Sequence, residues 1–165
     1  VDLQTAPVHP RELPCYSGGM SVHLLKLAVG IETIDHLRER QKQRIAEQKA
    51  AGNAPVLRIL TRNTPRRADE LTAEGGSLFW VIKGRILVRQ KITSVEPATG
   101  HDGAPRCAIH LGRKIIRVQP RRSRPFQGWR YLEPDNAPLD LAAGAAAEAE
   151  PPAEMAEELR ELGLI

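Results

Sequence analysis

The sequence feature that most constrains the fold is the run between residues 76 and 96, the densest apolar and β-favouring stretch of the chain. Residues 77–83 are almost continuously apolar, which is typical of a strand covered on both faces. Residues 85–96 alternate apolar and polar side chains, which predicts a strand with one wetter face. The intervening Gly84 is compatible with a tight turn or with a bulge in one bent strand. We therefore place two central strands here.

Large aromatic side chains are few, and their positions tie this run to a later segment. The chain has two residues each of Phe, Trp and Tyr; Phe79 and Trp80 lie in the central run, and Phe126, Trp129 and Tyr131 lie in one later segment. Because aromatic side chains dominate the energetics of burial, we expect a packed core to bring the two segments together. In particular, we expect the rings of Trp80 and Phe126 to share one core.

Shorter periodic segments complete the domain. Further strands are predicted at residues 21–29, 56–61, 106–111, 114–119 and 126–132. The pair 106–111 and 114–119 is a hairpin candidate, and residues 120–125 form an arginine-rich loop. One helix is predicted between Thr33 and Gly52, and a second begins with Thr64 as its N-cap. The order β-α-β-α-β-β-β-β-β predicts an α+β domain with a mostly antiparallel sheet, open or barrel-like, two early helices and a C-terminal helix.

Composition and residue spacing divide the chain into four parts. With 41% hydrophobic and 27% charged residues in 165, one soluble domain with a real core is expected. We place that domain at residues 20–140, after an extension at 1–19 that is either a non-native upstream segment or a flexible arm. Residues 141–153 are an Ala/Glu/Pro-rich linker, and residues 154–165 have the spacing of an amphipathic helix that could dock or bind a partner protein.

The charge distribution favours a phosphate-bearing partner. Residues 113–130 hold seven basic residues and no acid, whereas the tail from Asp140 holds seven acids and one arginine. No apolar run reaches the roughly 18 residues needed to span a membrane, and the first twenty residues lack a secretory pattern. We therefore expect a cytoplasmic protein with no membrane association.

No enzyme or metal signature stands out. Gly-rich phosphate loops, nucleophile elbows and Cys-x-x-Cys pairs are absent from the sequence. His101, Cys107 and His110 come nearest to a metal set, but a Cys-x-x-His spacing on a strand points the two side chains to opposite faces. We expect no metal and no cofactor, and the catalytic residues, if the protein is an enzyme, are unknown.

Three groups of residues are candidate anion contacts. Arg62, Arg66 and Arg67 surround the start of the second helix, although pairing with Asp69 and Glu70 would reduce them to surface charge. Arg89 and Gln90 occupy the polar side of a central strand. In the third group, arginines would contact phosphates and a tryptophan would stack on bases, unless the ring is a core residue. This group comprises Arg121, Arg122, Arg124, Trp129 and Arg130.

Five motifs occur in a recognisable order: His-Leu-Leu-Lys-Leu-Ala-Val-Gly at 23–30, Arg-Ala-Asp-Glu-Leu at 67–71, Phe-Trp-Val-Ile-Lys-Gly at 79–84, Val-Arg-Gln at 88–90 and Arg-Pro-Phe-Gln-Gly-Trp-Arg-Tyr-Leu at 124–132. With these motifs, residues 21–140 resemble the domain of unknown function 1489 family of small bacterial proteins. The resemblance implies a cytoplasmic bacterial protein and supplies no activity, cofactor or catalytic residue. A looser analogy, at the level of fold alone, is to RNA-binding barrels of the PUA and ASCH kind.

The sequence thus favours a small basic nucleic-acid-binding domain, with RNA as the partner. Two alternatives stay open. One is an enzyme or sensor for a small anionic, phosphate-bearing metabolite, held by the arginines at 62, 66 and 67 and by Arg89 and Gln90. The other is a protein interaction module that uses the C-terminal helix.

Overall fold

The structure, a computed structural model, describes residues 21–73, 75–141 and 161 of the chain. Seven strands and two α-helices follow one another in the order that the sequence predicts, with a short 3-10 turn at Pro134–Asn136. The elements are β1 (His23–Leu27), α1 (Ile34–Ala50), β2 (Arg58–Thr61), α2 (Ala68–Ala73), β3 (Ser77–Ile82), β4 (Arg85–Thr99), β5 (Pro105–Leu111), β6 (Ile116–Arg122) and β7 (Trp129–Leu132).

One sheet contains all seven strands, in the order β2-β5-β4-β3-β1-β7 with β6 also paired to β4. Only β1 and β3 run parallel, and the other described pairs are antiparallel. The predicted α+β class and mostly antiparallel sheet are confirmed. The barrel-like option is wrong, because β2 and β7 end the sheet on opposite sides without pairing. The predicted C-terminal helix and linker lie outside the described residues, apart from Glu161.

β3 and β4 are joined by a tight turn, which resolves the ambiguity at Gly84. Ile82 pairs with Arg85 across the turn, and the two central residues, Lys83 and Gly84, have φ values of 47° and 76°. Positive φ at both central positions defines the two-residue turn whose twist matches that of a hairpin. A separate register shift occurs in β3, between Trp80 and Val81.

The length of β4 changes the pairing that the sequence suggested for β5 and β6. β4 has 15 residues, so its first half pairs with β6 while its second half pairs with β5. The predicted hairpin between residues 106–111 and 114–119 is therefore wrong. The predicted arginine loop is wrong as well at Arg121 and Arg122, which belong to β6 and pair with Ile86 and Arg85 of β4.

The two faces of the sheet carry separate cores. Trp80 belongs to the larger core, to which α1 and α2 contribute Leu37 and Leu71. Phe79 and Phe126 belong to a smaller core on the other face. The expectation that Trp80 and Phe126 share one core is therefore wrong, because successive residues of a strand point to opposite faces. The two aromatic segments do meet, since β1 pairs with β3 on one side and with β7 on the other.

α1 packs through the narrow stripe that its sequence predicts. Leu37 is buried, and Ile34, Gln41, Ile45 and Gln48 on the same stripe are half-buried. Outside this stripe, α1 carries exposed charged side chains. Within the described part of the chain, no helix is both long and apolar enough to cross a membrane.

Candidate functional site

A groove of about 830 Å³ lies where the first turn of α1 meets the β3–β4 turn and β6. Thr33, Ile34 and Asp35 border it from the helix, and Ser123 borders it just after β6. Thr33 caps the helix, because its hydroxyl accepts a 3.0 Å hydrogen bond from the backbone N–H of His36. Two strand ends and a helix start therefore converge on one concavity.

The charged side chains that border the groove are mostly basic. Two of them are acidic, Glu32 and Asp35, and Asp35 accepts a 3.0 Å hydrogen bond from Arg38. The basic ones are Arg38, Lys83, Arg85, Arg117 and Arg122. Seven charged side chains thus border the groove, five basic and two acidic.

Lys83 occupies the most unusual backbone position beside this groove. It is the one non-glycine residue with positive φ in the part of the chain that the structure describes. That conformation favours Gly, Asn or Asp and costs energy for a lysine. A strained lysine that borders a basic groove is a residue to test for binding.

Gln90, which the sequence suggested as an anion contact, lies in the core with no exposed surface. Its side-chain oxygen accepts hydrogen bonds from Trp80 Nε1 and Gln41 Nε2, both at 2.8 Å. Its amide nitrogen donates to Gln41 Oε1 and to the carbonyl oxygen of Gly112, both at 3.0 Å. All of its hydrogen-bonding capacity is therefore used inside the protein, and its side chain has no exposed surface.

Arg67 forms ion pairs with neighbouring carboxylates. The sequence had offered such pairing, with Asp69 and Glu70, as the alternative to anion binding by this arginine cluster. It bonds Glu70 at 2.6 Å and Glu133 at 2.7 Å, and it lies over the ring of Tyr131. These two carboxylates raise the pKa of Arg67, and the hydrogen bond from Arg67 lowers the pKa of Glu70. The backbone N–H of Arg67 donates to the hydroxyl of Tyr131, so this helix start already has a protein acceptor.

The other two arginines of that cluster, Arg62 and Arg66, are exposed. The second helix begins at Ala68, three residues later than Pro65, and it has only six residues. The predicted helix start at Thr64 and Pro65 is therefore wrong, and the helix begins after both arginines.

Arg89 belongs to an internal network on the smaller-core face. Its guanidinium makes two hydrogen bonds to Asp140, at 2.7 and 2.6 Å, and one to the hydroxyl of Ser77 at 3.0 Å. The backbone N–H of Ser77 donates to Nδ1 of His23 at 3.0 Å. Desolvation and, secondarily, the nearby charge of Arg89 lower the pKa of His23, against an opposing effect of Glu133. The network fastens the segment at Asp140 to the sheet.

The remaining candidates lie around β6 and β7. Arg121 donates to the carbonyl oxygen of Asn136, and Arg130 lies 5.1 Å from the ring centroid of Phe126. Arg124 is exposed, and Trp129 is half-buried with its ring 5.0 Å from that of Tyr131. Of the ten residues suggested by the sequence, only Arg122 borders the groove.

Sequence reasoning missed the other cations of the groove, which come from three separate segments. Arg117 had a signal, because it belongs to the acid-free run at 113–130. Arg38, Lys83 and Arg85 had none, since only the packing of α1 against the β3–β4 turn brings them to the same place. Among the residues that the structure describes, no cluster of three metal-ligating side chains occurs.

The fold and the groove together define a small α+β protein with an open, mostly antiparallel sheet and a concavity bordered by α1, the β3–β4 turn and β6. A family model described as Protein of unknown function (DUF1489) matches residues 24–165. The match covers most of the chain, so the chain belongs to this family. No curated protein matches the chain, and no solved structure matches it either.

Proposed function

We propose that the protein binds RNA by holding the sugar-phosphate backbone in the basic groove between α1, the β3–β4 turn and β6. The observation that carries the proposal is the convergence of five cationic side chains on one concavity. Guanidinium groups suit phosphate because they donate paired hydrogen bonds in a fixed plane. Four of the five cations are arginines.

We include in the proposed contact surface three exposed arginines that do not border the groove. Arg121 precedes Arg122 on β6, and Arg124 follows two residues later. Arg130 and the half-buried ring of Trp129 lie on β7. A single strand needs such a mixture, because phosphates bind to cations while unstacked bases bind to aromatic faces.

A second candidate function uses the same groove for a small phosphate-bearing metabolite. Its volume, about 830 Å³, is within the range that is usual for small-molecule sites. The contacts suggested by the sequence for such a ligand do not support it, because Gln90 is buried and Arg67 and Arg89 bind carboxylates. A small ligand in the groove would have to be bound by the residues that line the groove instead of by these three side chains.

The RNA proposal is tested by fluorescence anisotropy with labelled single-stranded and duplex RNA of about 20 nucleotides. If four to six phosphates are bound, the logarithm of the association constant falls against the logarithm of salt concentration with a slope of about −3 to −5. Failure to bind at about 50 µM protein, a concentration on the order of the dissociation constants of weak non-specific binding, or a flat salt response would refute the proposal.

A matched pair of double variants locates the contact. Arg117→Gln with Arg122→Gln removes two groove cations and should reduce the salt slope by about 2. Arg40→Gln with Arg44→Gln removes the same charge from exposed positions of α1 that do not border the groove. If the second pair weakens binding as much as the first, the groove is not the binding site.

The metabolite alternative is tested by thermal-shift measurements with sugar phosphates and nucleotides. A rise in Tm that is lost in the Arg117→Gln, Arg122→Gln variant, without any RNA binding, would favour the small ligand. RNA binding without a rise in Tm from any small phosphate compound would favour RNA as the ligand.

A further inference from the structure

The backbone at residues 139–141 pairs with β6 beside the groove. Asp140 makes an isolated antiparallel bridge with Val118 of β6. Next to this bridge, the backbone N–H of Leu141 donates to the carbonyl oxygen of Arg117 at 2.9 Å. Arg117 borders the groove. Leu141 is therefore placed beside a residue of the groove.

The side chain of Asp140 fixes this position. Its carboxylate accepts two hydrogen bonds from the guanidinium of Arg89, at 2.7 and 2.6 Å. Paired hydrogen bonds between charged groups are stronger and more specific in geometry than single neutral ones. The Arg89 side chain is 24% exposed, so the pair is partly shielded from solvent. Whatever follows Leu141 in the chain thus starts from one fixed place next to the groove.

The sequence beyond Leu141 carries the charge opposite to that of most groove side chains. Residues 142–165, which we call the acidic segment, contain six glutamates and one arginine and no aspartate, lysine or histidine. The first two glutamates are Glu148 and Glu150. Five of the seven charged side chains that border the groove are basic. The two sets of charges are therefore complementary.

The chain is long enough for contact between them. An extended residue spans at most about 3.6 Å, so Glu148 lies within about 25 Å of Leu141. Arg117 and Arg122 are five residues apart on β6, a distance of roughly 17 Å. Both arginines are therefore within reach. Covalent attachment also gives the two nearest carboxylates an effective concentration at the groove on the order of millimolar.

We propose that Glu148 and Glu150 bind the cations of the groove and compete there with phosphate-bearing ligands. A guanidinium group pairs with a carboxylate in the same planar, two-bond geometry as with a phosphate. A ligand with several phosphates displaces this internal competitor, whereas a weakly charged one does not. The competition rests on the proposed function of the groove, but the contact between the acidic segment and the groove does not require RNA.

The contact is tested in full-length protein without RNA, by the broadening of amide NMR signals around a nitroxide. The nitroxide is attached to a cysteine introduced by Ala149→Cys, between the two glutamates. Cys15→Ser is included, and the remaining Cys107 is fully buried and does not react.

The reporters are the amide signals of Thr33 and Gly84, which border the groove. Gly52 is the reference, because it follows the opposite end of α1, about 25 Å from Thr33 along the helix. Thr33 and Gly84 are expected to broaden more than Gly52. Since attachment alone keeps the nitroxide near β6, the decisive quantity is the change in broadening when charge is removed or screened.

Glu148→Gln with Glu150→Gln, the near variant, should reduce the broadening of both groove signals about twofold. Salt at about 0.5 M should do the same, because it screens exposed ion pairs. Glu157→Gln with Glu158→Gln, the far variant, removes the same charge farther along the chain and should have little effect.

Variants of the domain test the other side of the contact. Arg117→Gln with Arg122→Gln should reduce the broadening as the near variant does. Arg40→Gln with Arg44→Gln, on exposed positions of α1 that do not border the groove, should leave it unchanged. An unchanged indole signal of Trp80 verifies that the core is intact in each protein.

The competition is measured with RNA at about 50 mM salt, where screening is weak. The near variant should bind RNA about threefold more tightly than the wild type, because its groove is occupied for less of the time. The far variant should bind as the wild type does.

The proposal is overturned if neither salt nor the near variant changes the broadening of the groove signals, because attachment alone would then explain it. It is also overturned if the far variant acts like the near variant, or if the near variant and the wild type bind RNA equally. The expected NMR changes without RNA binding by any of these proteins would support the contact and refute the proposed function of the groove.

Discussion

The indole nitrogen of Trp80 donates a 2.8 Å hydrogen bond to the side-chain oxygen of Gln90, and both side chains are buried. Gln90 also exchanges two hydrogen bonds with Gln41 of α1 and donates to the carbonyl oxygen of Gly112. One amide thus connects the helix, two central strands and the segment after β5. Because a buried polar network is favourable only when every member has a partner, it specifies how α1 sits on the sheet.

Gln90→Leu should destabilise the protein by about 2 to 4 kcal/mol, because it leaves Trp80, Gln41 and Gly112 with unsatisfied polar atoms in the core. The free energy of unfolding in urea measures this loss. Gln119→Leu is the control, since Gln119 is exposed on β6 and should change stability by less than about 0.5 kcal/mol. Equal stability of the two variants would contradict the importance of the amide network.

This network also marks the limit of what the sequence could predict. The alternation in residues 85–96 correctly indicates a strand, and Gln90 looks like a residue of its polar side. Its partner on α1 is 49 residues away, and nothing in local periodicity signals that two glutamines will meet in the core. Only the packing of α1 on the sheet makes Gln90 a buried residue.

The sequence does not predict the groove, for a similar reason. Local patterns predict the order of the elements. They do not predict that the first half of β4 pairs with β6 and its second half with β5, because that pairing depends on tertiary contacts. That division brings Arg117 and Arg122 next to the β3–β4 turn and the start of α1. Charge clustering in the sequence pointed to the region 113–130 but not to the cations from elsewhere.

Trp80→Ala should cost roughly 3 to 5 kcal/mol of unfolding free energy, because it removes a large buried side chain and the donor to Gln90. Such a loss is a large part of the roughly 5 to 15 kcal/mol typical of a domain. Arg122→Ala, at an exposed position on β6, should change stability by at most about 1 kcal/mol. Urea unfolding separates the two, and a stable Trp80→Ala protein would contradict the described core.

Lys83→Asn should stabilise the protein and weaken RNA binding at the same time. Asparagine tolerates the positive φ of 47° better than lysine, so the unfolding free energy should rise by about 1 kcal/mol. Loss of a groove cation should make the salt slope of RNA binding shallower by about 1. Lys114→Asn, an exposed lysine without positive φ, is the control for stability. Unchanged binding in Lys83→Asn would show that the strained turn does not serve the groove.

His23→Asn should remove part of the pH dependence of stability. Desolvation, and secondarily the charge of Arg89, lower the pKa of His23 below its ordinary value of 6.5, against an opposing effect of Glu133. The unfolded chain therefore binds a proton more readily than the folded protein, and the stabilisation is present above pH 6.5 and is lost as pH falls below it. Asparagine can still accept the hydrogen bond from the backbone of Ser77. We expect the urea midpoint to fall less between about pH 7.5 and about pH 5.0 in the variant than in the wild type. These two pH values lie about one unit or more on either side of the ordinary histidine pKa. Equal falls in both proteins would mean that another group carries the pH dependence in this range.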